Sequence, residues 1–347
     1  MNKPLALLAV LLLALVAAGC GGSSKKSAPS GGTTTSSGSA LRIGFVPDVS
    51  GINDHGFNHL AYVGVQRAKS ELGAMVRVLP TNAASDYAPN FALLAQQGYD
   101  LIVGAGYTQI SAIASTAKKF PDRRFSIVDV DVNTLPGKPK NVVGMLFREQ
   151  EVGYLAGYLA ALEEKRQAGA DVIGAVGGEK QPPIDRFIAG YRAGANAADP
   201  GIKVLIGYAN DPTFADQAKC KEVALNQIAS GSGVEFQVAG GCGLGVISAA
   251  KERKVWAIGV DADQAYLDPQ HILTSATKRV DVAVFTTIES VDKGTYKAGN
   301  ATYGLADNGV GLGKINARVP QSEIAKVDKI RQQIVSGKIK NIPTTVK

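Results

Sequence analysis

Short apolar runs alternate with longer stretches of helical periodicity from residue 41 onward. Apolar runs of this kind, bounded by polar or glycine-containing segments, predict strands that are buried on both faces of a sheet. The predicted strands are residues 42–46, 75–79, 101–103, 125–128 and 142–145 in the first half of the chain, and residues 172–176, 204–208, 235–238 and 255–260 in the second half.

Amphipathic segments lie between these strands and predict helices. They are residues 60–72, 87–97, 110–119, 148–164, 185–197, 214–228, 244–251 and 280–288. Regular alternation of strands and helices is typical of parallel sheets covered on both faces. The pattern therefore predicts a two-lobed α/β protein, in which each lobe is a parallel sheet flanked by helices and a ligand cleft lies between the lobes. We assign residues 41–146 with part of 262–300 to the first lobe, and residues 147–261 with part of 300–347 to the second.

The loop after the first predicted strand, residues 48–58, is richer in polar and aromatic side chains than a turn requires. Ligands of open parallel sheets lie beyond the carboxyl ends of the strands. The backbone amide groups in the first turns of the helices point towards this space. Asp54 could instead cap the next helix, and Phe57 could anchor that helix to the core. The candidate ligand-binding residues of this loop are Asp48, Asn53, Asp54, Phe57 and Asn58.

Other strand ends carry the same kinds of side chain. Asp129 and Asp261 each follow a predicted strand directly, Phe214 lies in the loop after residues 204–208, and Gly241 lies in a glycine-rich turn after residues 235–238. A carboxylate accepts two hydrogen bonds from vicinal hydroxyl groups, such as those of a sugar or a ribose. An aromatic ring from each lobe could clamp a flat base or a sugar face. Phe214 could also pack under a helix start, and the glycines could serve packing alone.

Lys278 lies where the run 272–277 gives way to the helical pattern of residues 280–288. A lysine at a helix start is unfavourable for the helix dipole, which favours acidic side chains there. Either a ligand or an acidic neighbour would compensate, or the side chain is simply solvated. Lys278 is therefore a further candidate for the cleft.

Composition and charge narrow the class of protein. A chain of 347 residues with 45% hydrophobic and 19% charged residues is typical of a globular protein with two cores. The formal charge of +7 is mild and the basic residues are dispersed, so no nucleic-acid partner is predicted. His55 and His59 are four residues apart but lack a third ligand nearby, so no metal ion or cofactor is predicted.

The N-terminus predicts export and lipid attachment. Lys3 precedes an apolar run, residues 5–16, that suits the core of a signal peptide and is too short to span a membrane comfortably. Small residues then lead to Cys20, as in the lipoproteins of bacteria, where this cysteine becomes the lipid-modified N-terminus. We predict a signal peptide at residues 1–19 and a flexible tether at residues 20–40, which is rich in Ser, Thr and Gly. The alternative is cleavage by the general signal peptidase, which would leave Cys20 an ordinary thiol.

Two further cysteines are placed for a disulfide. Cys220 lies in the first turns of a predicted helix, and Cys242 follows the carboxyl end of the next strand. The helix and the strand run in opposite directions, so both cysteines lie at the same end of their lobe. Export to an oxidising compartment favours a bond between them, with two buried thiols as the alternative.

Six stretches together resemble the basic membrane protein family of substrate-binding lipoproteins, whose best understood members are purine nucleoside receptors of ABC transporters. The stretches occur in the order found in that family and extend over nearly all of residues 41–340. They are residues 51–58, 125–129, 151–157, 239–245, 258–264 and 273–278.

The resemblance implies a type I periplasmic-binding fold that closes on a nucleoside. The loop 53–57 would supply polar contacts and one stacking ring, and Asp129, Asp261 and Lys278 would hold the ribose or the base. The opposite ring matches Phe214 or, alternatively, Phe187. The implied partners are a nucleoside and ABC permease subunits, for a monomeric protein held at the outer face of the cell membrane, or in the periplasm, by lipid on Cys20.

Three other functions remain open from the sequence. A binding protein for a sugar or another polar solute would use the same rings and acids. An extracellular nucleoside hydrolase could hold a metal between Asp48 and Asp54, although the loop lacks a clustered Asp-x-Asp motif with histidine. A sensor lipoprotein would present the bound solute to a receptor. We favour a binding protein that is not an enzyme.

Overall fold

The computed structural model describes residues 40–346, so the predicted signal peptide, Cys20 and nearly all of the predicted tether lie outside the described residues. The first half of this region alternates strands and helices as the apolar pattern predicts. Its elements are β1 (Arg42–Val46), α1 (Phe57–Leu72), β2 (Met75–Val78), α2 (Tyr87–Gln96), β3 (Leu101–Ala105), α3 (Ile110–Lys119), β4 (Arg124–Val128) and β5 (Val142–Phe147).

The second half repeats this alternation and ends with four further elements. The elements that repeat it are α4 (Glu149–Arg166), β6 (Val172–Gly177), α5 (Pro182–Ala198), β7 (Lys203–Tyr208), α6 (Gln217–Ala229), β8 (Val234–Val238), α7 (Leu244–Arg253), β9 (Trp256–Asp261) and β10 (Ile272–Lys278). The last four are α8 (Val280–Asp292), β11 (Gly299–Tyr303), β12 (Val310–Leu312) and α9 (Gln321–Val335).

Residues 40–346 form two six-stranded sheets, one in each lobe, which confirms the predicted two-lobed α/β fold. The strand order is β11-β5-β4-β3-β1-β2 in the first lobe and β12-β10-β9-β8-β6-β7 in the second. The described strand pairs are parallel except for the edge strand β12, which runs antiparallel to β10. The two sheets thus have equivalent orders, and β4 in the first lobe corresponds to β9 in the second.

The chain crosses between the lobes three times. It leaves the first lobe after β5, returns after β10 so that α8 packs on α1, and leaves again between β11 and β12. The crossings are joined by backbone hydrogen bonds, from the Arg148 amide to the Tyr303 carbonyl (2.8 Å) and from the Arg279 amide to the Gly309 carbonyl (2.9 Å). Three adjacent crossings allow the lobes to rotate about one region while each sheet stays intact.

Two helices of the second lobe, α4 and α5, pack unusually closely. A Cβ atom added to Gly157 would overlap the carbonyl of Tyr191, and one added to Gly194 would overlap the carbonyl of Tyr154. Glycine is required at both positions because the two backbones touch there. This packing fixes the first turns of α4 and α5 relative to each other, next to the cleft.

Candidate functional site

A cavity lies between the lobes, beyond the carboxyl ends of the strands. Both lobes contribute to its wall, which is the place that the open-sheet rule predicts. The first lobe provides Asp48, Ser50, Asp54, Phe57, Asn58, Gly106, Tyr107, Thr108 and Asp129, and the second provides Gln181, Pro183, Ile184, Phe187, Phe214, Val238, Ala239, Gly240, Val260, Asp261 and Lys278.

Asp54 holds the start of α1 and also lines the cavity. Its carboxylate accepts hydrogen bonds from the backbone amides of Gly56 (3.0 Å), Asn58 (2.7 Å) and His59 (3.0 Å). These include amides of the first helical turn, which have no partner within the helix. The capping role that the sequence left open is therefore present, in a side chain that also lines the cavity.

Asp48 is held in place by its neighbours in the same loop. Its Oδ1 atom accepts hydrogen bonds from the Ser50 hydroxyl (2.6 Å) and the Asn58 side-chain amide (2.8 Å), and its backbone amide donates to Asn58 Oδ1 (2.9 Å). Burial raises the pKa of Asp48 to about 6. The buried pair of Asp48 and Asn58 forms a preorganised polar wall of the cavity.

Asp129 and Asp261 occupy equivalent places at the ends of β4 and β9. Both have left-handed backbone conformations, with φ of 70° and 62°, which are uncommon for residues other than glycine. Each is buried, and the Oδ1 atom of each has no hydrogen-bond partner among residues 40–346. Burial raises the pKa of Asp261 to about 6. Each lobe thus contributes to the site one carboxylate oxygen without a hydrogen bond, and that of Asp261 lies 3.5 Å from Lys278 Nζ.

Lys278 lies between these two aspartates and is 2% exposed. Its Nζ atom donates to Asp129 Oδ2 at 2.7 Å and lies 3.5 Å from Asp261 Oδ1. Burial alone would lower the pKa of Lys278, but Asp129, Asp261 and Glu149 together raise it above its usual value. The acidic neighbours compensate for a lysine at a helix start, as the sequence suggested.

Three phenylalanine rings line the cavity. Phe57 and Phe214 are partly exposed, whereas Phe187 is 2% exposed and packs edge-on against Phe236. The Phe57 ring centroid is 4.9 Å from Lys278 Nζ, and that of Phe187 is 5.5 Å away. Phe57 and Phe214 therefore keep ring surface free for a ligand, one from each lobe.

A disulfide joins Cys220 and Cys242, whose Cα atoms are 5.6 Å apart. It links α6 to the glycine-rich turn after β8. The Cys242 amide donates to the carbonyl of Phe214 at 2.8 Å, and Phe214 has a left-handed φ of 55°. The disulfide thus supports the segment that directs the Phe214 ring into the cavity.

Two candidate residues lie outside the cavity wall. Asn53 is exposed at the tip of its loop, and Gly241 is buried behind the neighbouring Gly240, which does line the cavity. The left-handed φ of 57° at His55 follows Asn53 and turns the loop towards the second lobe. Nothing in the geometry of residues 40–346 brings Asn53 to the ligand space.

Several residues in or behind the cavity wall are not among the candidates that the sequence suggested. Tyr107 and Thr108 follow β3, and Gln181 precedes α5, so the strand-end rule could have included them. Glu149 and Arg186 had no such signal, because a glutamate at a helix start is an ordinary feature of helices. These two form an ion pair between a fully buried glutamate and a partly exposed arginine, with Arg186 Nε 2.6 Å from Glu149 Oε2.

The lobes also touch each other outside the cavity. The His55 ring Nδ1 atom lies 2.8 Å from the Tyr266 hydroxyl, and the Gln264 side-chain amide donates to the carbonyl of His55 at 3.2 Å. His55 belongs to the first lobe and the other two residues to the second. These contacts, together with the Lys278–Asp129 ion pair, describe a closed cleft.

The described part of the chain shows neither a metal centre nor a membrane span. Within residues 40–346 no three His, Cys, Asp or Glu side chains are grouped as a metal ion would require. Over the same residues no helix combines the length and apolar character needed to cross a membrane.

Relatives with curated names match most of the chain. The ABC transporter nucleoside-binding protein BmpA of Lactococcus lactis subsp. cremoris is 37% identical over 322 residues, which are 86% of this chain and 88% of the relative. An uncharacterised lipoprotein of Pyrococcus horikoshii is 35% identical over 301 residues, which are 83% of this chain and 73% of the relative.

Solved structures agree with this match. An ABC transporter solute-binding protein from Aeropyrum pernix K1 superposes with a TM-score of 0.79 at 28% identity, covering 87% of this chain and 94% of that protein. The model of one protein family, described as ABC transporter substrate-binding protein PnrA-like, matches residues 42–344. This span includes every cavity residue described above, and the chain belongs to this family, the Bmp family of ABC transporter substrate-binding proteins.

Proposed function

We propose that the protein captures a nucleoside between its lobes outside the cytoplasm and delivers it to the permease of an ABC importer. The observation that carries this proposal is the pair of equivalent carboxylates, Asp129 and Asp261. Each has one buried oxygen without a hydrogen bond in the described region. Lys278 lies between the two aspartates, 2.7 Å from Asp129 Oδ2 and 3.5 Å from Asp261 Oδ1. Unsatisfied buried acceptors are costly, and the vicinal hydroxyl groups of a ribose would satisfy both.

The base would lie between the rings of Phe57 and Phe214. Both rings are partly exposed in the cavity and come from opposite lobes. Stacking of a base on an aromatic side chain contributes roughly 1–3 kcal/mol. Asp48, Asp54 and Asn58 would then face the polar edges of the base. We expect purine nucleosides to bind more tightly than pyrimidine nucleosides, because the larger ring system covers more aromatic surface.

Two further lines support this assignment. The relative from Lactococcus lactis carries the name of a nucleoside-binding protein, and several relatives are named lipoproteins. In our proposal Cys20 carries the lipid, residues 20–40 tether the protein to the outer face of the membrane, and the protein acts as a monomer. Ligand affinity would come from stacking, hydrogen bonds and lobe closure, with no covalent step.

A ligand screen tests the proposal. The protein without residues 1–19, and with Cys20 replaced by serine, would be heated in the presence of nucleosides, free bases, pentoses, hexoses or amino acids, and each mixture would then be analysed for products. We expect nucleosides alone to raise the melting temperature, and no product to form. Stabilisation by free sugars only would favour a sugar-binding protein, and release of a free base would favour a hydrolase.

Two variants distinguish stacking from simple apolar contact. Phe57→Ala should weaken nucleoside binding by about tenfold to a hundredfold, in line with a loss of roughly 1–3 kcal/mol. Phe57→Tyr keeps the ring and should bind nearly as tightly as the wild type. Equal loss in both variants would mean that the size of the side chain, and not its aromatic face, matters at this position.

A further inference from the structure

Glu149 and Arg186 form a charged pair directly behind the candidate ligand site. Glu149 is fully buried at the start of α4, where the chain first crosses between the lobes. Its Oε2 atom accepts a 2.6 Å hydrogen bond from Arg186 Nε, and Oε1 lies 3.5 Å from the second guanidinium nitrogen. Arg186 comes from α5, one residue before Phe187 of the cavity wall.

This pair is connected to the cavity by a series of close contacts between charged groups. Lys278 Nζ lies 3.9 Å from Glu149 Oε1 on one side, and it contacts Asp129 and Asp261 on the other. Opposite charges therefore alternate away from the cavity, in the order aspartates, Lys278, Glu149 and Arg186. All but the partly exposed Arg186 are buried, where charge interactions are screened weakly, so the removal of one changes the preferred partner of the next.

Arg186 is a potential competitor for the cleft carboxylates. Glu149 is its principal partner, and Asp129 is the next carboxylate that acts on it electrostatically. Asp129 has a free, buried Oδ1 atom, which a guanidinium group would satisfy well. If Glu149 lost its charge, Arg186 would gain by turning towards Asp129, and it would then occupy the oxygen that the ligand needs.

We propose that Glu149 is a positioning residue for ligand binding, which holds Arg186 away from Asp129, and that its pairing with Arg186 leaves Lys278 to the two aspartates. This inference rests on the proposed function, because it concerns the same carboxylates. Glu149 does not line the cavity, and it acts through Arg186 and Lys278. The pair also joins the first turns of α4 and α5, next to the first crossing between the lobes. It therefore fixes the positions of these charged side chains in the region about which the lobes would rotate.

Calorimetric titration with the best nucleoside ligand tests the proposal. We expect Glu149→Gln to weaken binding at least tenfold. Arg186→Met should also weaken binding, because an unpaired Glu149 would draw Lys278 away from the aspartates. The double variant Glu149→Gln/Arg186→Met removes both disturbing charges and should bind within about threefold of the wild type, as expected for two residues that act as a unit.

Glu163→Gln is the matched control. Glu163 lies on the same helix, is also fully buried and also forms a bidentate pair with an arginine, Arg166. It is fourteen residues further along α4, about 21 Å from Glu149. We expect this variant to lose stability but to keep the affinity of the wild type. A purely structural role for Glu149 would make Glu149→Gln behave like Glu163→Gln, which would overturn the proposal.

The remaining outcomes are also decisive. A double variant that binds as weakly as Glu149→Gln would show that Arg186 does not compete, and would overturn the inference. If Glu149→Gln alone does not fold, Arg186→Met is compared with the double variant instead. Tighter binding by the double variant would support the inference, and equally weak binding would overturn it.

If the wild type binds no nucleoside, the proposed function fails but this inference can still be tested. A crystal structure of the ligand-free Glu149→Gln variant should show the Arg186 guanidinium hydrogen-bonded to Asp129. The double variant Glu149→Gln/Arg186→Lys can serve for the same test. An arginine or lysine that stays in its original position would overturn the inference.

Discussion

The ammonium group of Lys278 lies 2.7 Å from the carboxylate of Asp129, although the two residues belong to different lobes. Both side chains are buried, so the ion pair joins the two lobes in the interior of the cleft. Desolvation of such a pair offsets much of its attraction, but removal of one partner leaves an uncompensated buried charge. The pair therefore links the charge state of the candidate site to the contact between the lobes.

Replacement of Lys278 by methionine should open the cleft. The variant retains the apolar stem but leaves Asp129 and Asp261 facing each other without a cation, and loss of one partner of a buried pair costs about 3–5 kcal/mol. We expect a larger radius of gyration in small-angle X-ray scattering of the ligand-free protein and at least a hundredfold loss of nucleoside affinity. Lys293→Met is the control, because Lys293 pairs with Glu289 at the surface. A closed, tightly binding Lys278→Met variant would contradict this role.

A second prediction concerns Glu235, a buried glutamate in β8 that the ligand site does not use. Its side chain is fully buried, both carboxylate oxygens lack a hydrogen-bond partner within the described residues, and burial raises its pKa to about 8. The folded state therefore holds a proton that the unfolded state releases above about pH 4.5. The free energy of unfolding should fall as the pH rises from about 5 to about 8.

Glu235→Gln should reduce this dependence and leave the part below about pH 6 that Asp48 and Asp261 contribute. The amide cannot ionise, so the variant should be more stable than the wild type at pH 8, by a few kcal/mol at most, and similar to it near pH 5. Chemical denaturation at both pH values measures the difference. Glu222→Gln, at an exposed glutamate of α6, should leave the slope unchanged. A wild type whose stability is flat between pH 5 and pH 8 would show that Glu235 is not held protonated.

The sequence predicted that Asp129 and Asp261 would lie at the cleft, where both line the cavity, for a reason that lies in the topology. Asp129 and Asp261 end parallel strands, and the apolar runs before them make those ends visible. Lys278 followed from its unfavourable place at a helix start. The same reasoning could not separate Asn53 from its neighbours, because exposure within a loop depends on how the loop turns at His55.

Other parts of the structure had weaker signals in the sequence. The edge strands β11 and β12 and the helix α9 were not predicted, and β11 is half exposed, so its apolar pattern is weak. The predicted helix at residues 214–228 begins only at Gln217, because Phe214 is left-handed and Asp216 caps the helix through the amides of Ala218 and Lys219. The helical pattern of the sequence is overridden there by the backbone geometry that directs the Phe214 ring into the cavity.

A third prediction concerns the disulfide between Cys220 and Cys242. Replacement of both cysteines by alanine should lower the free energy of unfolding by about 2–4 kcal/mol, because the bond restricts the unfolded chain. It should also weaken nucleoside binding severalfold, since the Cys242 amide holds the carbonyl of Phe214. Denaturation and calorimetric titration measure the two effects. If the affinity is unchanged while stability falls, the bond supports the fold but not the position of Phe214.

The contact between His55 and Tyr266 should control how long the ligand stays bound. It joins the lobes outside the cavity, through a 2.8 Å contact between the imidazole and the phenol hydroxyl. We expect it to form when the lobes close. Tyr266→Phe removes this hydroxyl alone. The residue is exposed, and a net hydrogen bond contributes about 0.5–1.5 kcal/mol, so we expect a two- to tenfold faster dissociation rate in stopped-flow experiments. The association rate should stay unchanged, because encounter precedes closure.

The double variant His55→Ala/Tyr266→Phe should release the ligand no faster than His55→Ala does. A slower association rate, or additive losses in the double variant, would mean that the two residues act separately and not as an interlobe contact.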